Sequence, residues 1–241
     1  MRHVIKEFFR RERFSPTYFG LLVNPFYFAR RGLARELRPL LAEFRGTVLD
    51  VGCGQKPYLA WISGESYVGV DIDSEVTRAI GAADVLYDGK RLPFPDASFD
   101  HVLCSQVLEH VFYPDEFISE LARVLKSEGT LVLTTPFAWD EHEQPFDYAR
   151  YSSFGLRALL NRSGFSVEVH RKTVSDGRAI VQLTSAWLYK VTRTRKRLIN
   201  ALVQILLLAP CNLIGGVIAA VLPANDNFYL DNVVVARKRH D

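Results

Sequence analysis

Eight residues, Thr47-Val48-Leu49-Asp50-Val51-Gly52-Cys53-Gly54, constrain the fold more than any other stretch. A short β-prone run leads into an acid and then two glycines spaced one apart, the pattern of a buried strand ending in a tight turn. In an open α/β sheet, ligands bind beyond the carboxyl ends of the strands, where such a turn lies. The two glycines let the backbone come close to a ligand at dihedral angles that a side chain forbids.

The residues downstream repeat the strand–turn–helix rhythm. Strands are expected at about 47–51, 67–70, 83–86, 99–104, 130–134, 165–170 and 229–236. Helices are expected near 57–63, from Ser74, from Pro114 to about Leu125, and at 152–162. Upstream, Leu33, Leu37, Leu40, Leu41 and Phe44 recur at helical spacing. With Asn24-Pro25 as cap and first turn, they predict a helix over roughly 25–44. Alternation of this kind implies a mostly parallel sheet with helices on both faces.

Two segments stand outside the rhythm. Residues 2 to 13 set Arg2, Lys6, Arg10, Arg11 and Arg13 among Val4, Ile5, Phe8 and Phe9, which reads either as a basic amphipathic helix at a membrane surface or as a solvated helix packed on the domain. Further on, Lys190, Arg193, Arg195, Lys196 and Arg197 precede a stretch, Leu198 to Asn225, that carries no charge. Its apolar part, 198–222, invites comparison with a membrane span. A single crossing would leave the last strand on the wrong side of the bilayer from its sheet, and Pro210-Cys211-Asn212 is expected to divide the run into pieces of roughly 12 and 10 residues. Three readings remain: a hairpin dipping into one leaflet, a homodimer interface, or a cover over a substrate site. The basic run favours a membrane-surface contact through 190–222.

Composition removes several classes. Nearly half of the 241 residues are apolar and about a quarter charged, which excludes disorder, and a net charge of +3 gives no case for nucleic acid. Cys53, Cys104 and Cys211 form no CxxC pair, which disfavours both a disulfide framework and a thiolate zinc site. With no apolar run at the N-terminus, a cytoplasmic location is expected, peripheral at the inner membrane surface if the apolar segment docks there.

Two cofactor classes use a glycine turn after the first strand and an acid after the second. A dinucleotide-binding turn wants G-x-G-x-x-G, and here the third position is Pro57, which argues against a nicotinamide-dependent oxidoreductase. Val48 to Gly54 resembles the first motif of the class I S-adenosylmethionine-dependent methyltransferases. Val68-Gly69-Val70-Asp71-Ile72, the segment Asp88 to Asp100, Leu108-Glu109-His110-Val111 and Glu120 to Leu131 resemble later motifs of that family in order and spacing. The nearest branch is the broad type 11 group, and the resemblance covers about 47–170 and recurs at the last strand.

The resemblance implies a Rossmann-like class I methyltransferase fold: a seven-stranded mostly parallel sheet with an antiparallel last strand, helices on both faces, and a helical insertion before that strand. It suggests an N-terminal helical extension at 1–46, a methyltransferase domain at 47–175 and 226–241, and an apolar insertion at 176–225. S-adenosylmethionine is the implied cofactor, held by Asp50, Gly52, Cys53, Gly54, Asp71, Ile72, Asp88, Gly89, Ser105 and Gln106. Asp50 would face the ammonium, Asp71 the two ribose hydroxyls, Asp88 the adenine amino group and Ile72 the adenine ring. Ser105 and Gln106 would line the sulfonium end.

The acceptor side is expected in the loop Pro136 to Tyr151. His142 is the first choice for general base and His110 the second, because imidazole titrates nearest neutrality. Asp147, Arg150 and Tyr151 would orient an acceptor or hold the loop. No metal is expected, since Asp140, His142 and Asp147 lack a second histidine beside them in sequence. The implied function is methyl transfer to a small-molecule, glycan or lipid-linked acceptor. The alternatives are a catalytically silent cofactor-binding protein, or a nucleic-acid methyltransferase. The latter is disfavoured because Ser105-Gln106-Val107-Leu108 replaces the Asn/Asp-Pro-Pro-aromatic tetrapeptide that a flipped-base amine would call for.

Overall fold

The computed structural model describes the backbone of residues 2–239 and the side chains of residues 7–239. Seven strands form one sheet: β1 (Thr47–Val51), β2 (Ser66–Ile72), β3 (Val85–Tyr87), β4 (Phe99–Ser105), β5 (Leu125–Pro136), β6 (Phe165–Thr173) and β7 (Asp231–Lys238). Their order is β3-β2-β1-β4-β5-β7-β6, parallel from β3 to β5 and with β7 antiparallel. The strand order reverses between β1 and β4, and this switch point brings the loops after these two strands together. The chain divides into two compact units.

The sheet unit comprises Leu37–Phe137, Glu141–Arg171 and the chain from Asn232 onward. Its core stacks Leu49, Val51, Val102, Cys104, Leu131 and Leu133 with the helix residues Ile118, Leu121, Leu156 and Leu160, all fully buried. Each such aliphatic side chain contributes about 1.5–3 kcal/mol relative to exposure. The helices begin and end where their residue types dictate. α4 (Glu75–Ile80) opens with a Ser74–Thr77 capping box and closes on left-handed Gly81. α5 (Pro114–Val124) has proline in its first turn followed by Asp115 and Glu116, and buries Phe117, Ile118, Leu121 and Val124 on one face. α6 (Ser153–Arg162) is capped by the Ser152 hydroxyl.

Two sheet-unit elements differ from expectation. The helix predicted near 57–63 is a single 3₁₀ turn, Leu59–Trp61, following Pro57 and a left-handed Lys56. β5 starts at Leu125, earlier than predicted. Leu125 pairs with Phe99 but Thr130 with His101, so residues 126–129 form an excursion, with Glu128 at positive φ, inside one strand.

The helical unit gathers the chain up to Glu36, Ala138–Asp140 and Lys172–Asp231. It contains α1 (Arg2–Phe14), α2 (Gly20–Val23), the start of α3 (Tyr27–Ala42), α7 (Arg178–Thr192), α8 (Arg197–Val203) and α9 (Ala209–Val221). The side chains of Arg2, Val4, Ile5 and Lys6, part of the amphipathic expectation for α1, lie outside the described residues. α3 starts later than predicted: Asn24 accepts from the Phe26 amide but closes α2 instead of opening α3. Buried amides carry the packing. Gln182 accepts from the Phe28 and Ala29 amides at 2.9 and 3.2 Å and donates to the Pro25 carbonyl. Asn212 donates to the Leu21 and Asn24 carbonyls and accepts from Ser185.

The expected division at Pro210 does not occur. α8, a π-helical stretch at 204–208 and α9 form one continuous helical run, Arg197–Val221. Proline costs the turn before it a hydrogen bond, and the wider π winding there accommodates the missing donor.

Candidate active site

The turn after β1 is built as its sequence demands. Gly52 sits at φ +71°, and a Cβ there would lie 2.3 Å from a Val107 methyl, so glycine is required on both counts. Gly54, at φ +51°, has no heavy atom within 4 Å of where its Cβ would be, leaving open space above the turn. Cys53 points inward, is buried, and its thiol is pushed up to about 12, chiefly by burial.

Asp50 is 3% exposed and accepts from the Tyr67 hydroxyl at 2.6 Å. Burial raises its carboxyl to about 7, against the opposing pull of that hydrogen bond. Asp71 accepts the Gly54 amide on Oδ2 at 2.9 Å and its neighbour Ile72's amide on Oδ1 at 2.8 Å. Its carboxyl is also raised, first by burial, and it feels the charge of Glu143. Each Asp71 oxygen therefore has one lone pair engaged and one available for a hydroxyl. Ile72 is exposed at the end of β2, and its methyl lies 3.1 Å from where a Cβ on Gly89 would be, so glycine at φ +79° keeps the apolar slot clear. Asp88 accepts from the Lys90 and Arg91 amides on Oδ1, which hold its carboxyl below the usual range. It therefore shapes its own turn as well as facing the surface. After β4, Ser105 Oγ lies 2.9 Å from Thr134 Oγ1, and Gln106, at φ +59°, bonds the same hydroxyl.

The acceptor-side residues meet around two imidazoles. Their rings, from the turn after β4 and the loop after β5, approach edge to face with centroids 4.8 Å apart. His110 Nδ1 lies 2.9 Å from the Phe146 carbonyl, to which it donates, and its Nε2 faces Glu143 Oε2 at 3.8 Å. His142 Nδ1 lies 3.2 Å from Asp147 Oδ2, its nearer partner, which selects the same tautomer. Asp147 also accepts the His142 amide and both guanidinium nitrogens of Arg150. Arg150, the largest cause, holds the Asp147 carboxyl down at about 2. Tyr151 is half-buried, bonds the Pro136 carbonyl through its amide, and its carbonyl accepts from Asn232.

Glu109 was quoted in a motif but given no role from sequence. It is fully buried between the two loops: its Oε2 accepts from Thr135, and its carbonyl accepts the Tyr148 and Ala149 amides. Tyr67 and Thr134 were also missed, because a strand tyrosine or threonine carries no signal until register shows its neighbour. Glu109, His110 and His142 each offer one ligand atom, all within 4.8 Å of one another, so the fold supplies the second histidine that the sequence lacked for a cation site. Asp140 is not among them and pairs with Lys190 at 2.7 Å. A cavity of about 370 Å³ lined by Arg45, Asp100, Lys126 and Arg237 lies at the amino ends of β1 and β4, the opposite edge of the sheet.

Residues 49–133 match the type 11 family described as a methyltransferase domain. A protein of Mycolicibacterium smegmatis named a probable S-adenosylmethionine-dependent methyltransferase is 31% identical over 134 residues, covering 50% of this chain and 52% of that protein. One of Mycobacterium tuberculosis with the same kind of name is 30% identical over 132 residues, 49% of this chain and 48% of that protein. The chain spans about half the length of the curated relatives it matches. Among solved structures, a putative methyltransferase in complex with the Haloferax volcanii Trm112 activator aligns with TM-score 0.54 at 18% identity, over 95% of this chain and 98% of that one. The (4+2) cyclase SpnF also aligns at TM-score 0.54, with 22% identity over 86% and 82%. Residues 49–133 are thus similar to a methyltransferase domain, and the relatives' names point to one methyl donor, S-adenosylmethionine. The residues fit it: an open glycine turn, an acid beneath that turn, a second acid with lone pairs to spare, and a cleared apolar slot beside Ile72.

Proposed function

We propose that the protein transfers a methyl group from S-adenosylmethionine to an oxygen nucleophile of a small-molecule, glycan or lipid-linked acceptor seated between the loops after β4 and β5. The observation that carries this reading is the pair His110 and His142, whose rings meet at 4.8 Å from loops that follow adjacent strands, with Asp147 beside Nδ1 of His142. The sulfonium supplies an activated methyl and leaves as a neutral thioether. The protein's own task is to align the acceptor and accept its proton. His142 Nε2 takes that proton while Asp147, behind Nδ1, stabilises the imidazolium; His110 is the second candidate. Arg150 and Tyr151 hold the loop that shapes the acceptor side. The protein would work in the cytoplasm, peripheral to the inner membrane surface.

Incubation with labelled cofactor and fractionated lysate tests this directly: label should enter a small-molecule or lipid fraction. Label in RNA, or none despite tight cofactor binding, would reject it. His142→Gln should cut turnover while cofactor affinity stays unchanged. Activity should survive a chelator; loss restored by added zinc would reassign His110 and His142 as metal ligands.

SpnF, named a cyclase, shares this fold at the same TM-score, so the fold alone does not dictate methyl transfer. A silent cofactor-binding protein would bind the cofactor in a calorimeter and yield no labelled product.

A further inference from the structure

We infer that the helical unit is a docking module for an anionic bilayer surface. The inference deepens the peripheral membrane location proposed above and does not depend on methyl transfer. The run Arg197–Val221 is long and apolar enough to cross a membrane, yet only 22% of its most apolar window is buried. Crossing is ruled out by topology: β7, which follows it, lies in the sheet between β5 and β6, which precede it. The helix must therefore lie on a surface.

One of its faces is already occupied. Leu208, Ala209, Asn212, Gly215 and Ala219 are buried at helical spacing, and a Cβ on Gly215 would lie 2.2 Å from a Val181 methyl of α7, so the contact is close. The opposite face is bare. Leu198, Leu206, Val217 and Val221 are 82, 71, 71 and 80% exposed, with Leu202 and Ile205 between them. An apolar strip of this length on a folded unit marks an interaction surface.

Charge selects the occupant. No acid occurs between Asp176 and Asp226, whereas Arg193, Arg195, Lys196 and Arg197 are exposed at the amino end of the strip. Elsewhere in the same unit, α1 and the following turn expose Phe9 and Phe19 with Arg10, Arg11 and Arg13. In α1 two of these cations face acids, Arg10 near Glu7 and Arg11 near Glu12. The acid-free mix of apolar and cationic side chains typical of helices among anionic headgroups therefore belongs to the 190–222 segment. A cavity of about 1170 Å³ in this unit is similar in chemistry: Leu213, Val217 and Val221 of α9 form one wall, and Arg31, Arg35 and Lys172 outnumber the one acid, Glu36, that also lines it. The bare strip thus continues into a recess suited to an anionic amphiphile. A second copy of this segment would offer the basic run no counter-charge, since no acid occurs between Asp176 and Asp226.

Flotation of the full-length protein with vesicles tests the inference. Phosphatidylcholine vesicles containing phosphatidylglycerol should carry the protein; pure phosphatidylcholine should carry far less, and added salt should release it. R195E/K196E/R197E should weaken binding by roughly fivefold or more per residue. L206Q/V217Q/V221Q, at exposed positions, should abolish flotation. Both variants should keep wild-type circular dichroism and cofactor affinity. Equal binding to neutral and anionic vesicles, or none to either, would overturn the proposal. So would a dimer in sedimentation that L206Q/V217Q/V221Q makes monomeric while vesicle binding is unchanged.

Discussion

Burial raises the Asp50 carboxyl to about 7, and in the proposed site this group, together with the raised Asp71, links cofactor binding to pH. A cationic ammonium prefers the carboxylate, so below pH 7 binding must expel a proton. Affinity for S-adenosylmethionine should rise with pH up to about 7 and level off above it, by at most about tenfold per pH unit, and Asp50→Asn should flatten the rise. Calorimetry across that range reads both. The stability effect has the opposite sign. The folded pKa lies above the unfolded one, so the unfolded chain releases its proton first, and stability of the cofactor-free protein falls as pH rises from about 4 to about 7. Asp100 and Asp147, held down at about 2, contribute stability that is lost only as pH falls below about 4. Urea melts of Asp50→Asn should therefore show a smaller decline between 4 and 7, the rest coming from the raised Asp71, and keep the acid limb. At Asp71, replacement by Ala removes acceptors for the ribose and for the Gly54 and Ile72 amides together. Cofactor affinity should drop about tenfold to hundredfold, and unchanged affinity would remove Asp71 from the site.

At the scale of elements, the loop after β5, the proposed acceptor side, is held by a few local bonds. Arg150 grips both Asp147 oxygens, and Asp147 in turn receives the His142 amide. Arg150→Gln should loosen this loop, reducing product formation by about a hundredfold while the dissociation constant for the cofactor stays within about twofold. A parallel fall in both would mean the loop also builds the cofactor pocket. The elements that periodicity could reveal were legible in the sequence: strands whose core faces are apolar, such as Val102 to Cys104, and helices with proline, serine or acid at the start, such as α5 and α6. The motif residues Asp50, Gly52 and Asp71 were legible for the same reason, since acid and glycine positions are set by local chain geometry. What depends on contacts distant in sequence was not legible. Tyr67 meets Asp50 only through the register of β1 and β2. His110 and His142 become partners only when β4 pairs with β5. The continuity of the helix through Pro210 depends on a π stretch that no residue pattern announces.

Across the whole molecule, two compact units have different chemistry: one holds the motif residues, the other the bare apolar helix. A ligand that binds only the folded sheet unit should raise its melting transition. S-adenosylhomocysteine at about a hundredfold over its dissociation constant should add about 2.7 kcal/mol, read as a calorimetric shift that Asp71→Ala largely removes. The same shift in Asp71→Ala as in the wild type would place the ligand elsewhere. The strand order carries a further consequence. β6 has β7 as its only neighbour in the sheet, and the whole of α7, α8 and α9 is synthesised between them. Until β7 arrives, both edges of β6 and the far edge of β5 are open, while the most apolar helices of the chain emerge into solvent. Pairing of this sequence separation is slow, and exposed edges invite association. Pairing of β6 with β7 is therefore the step at which unfinished chains are expected to associate.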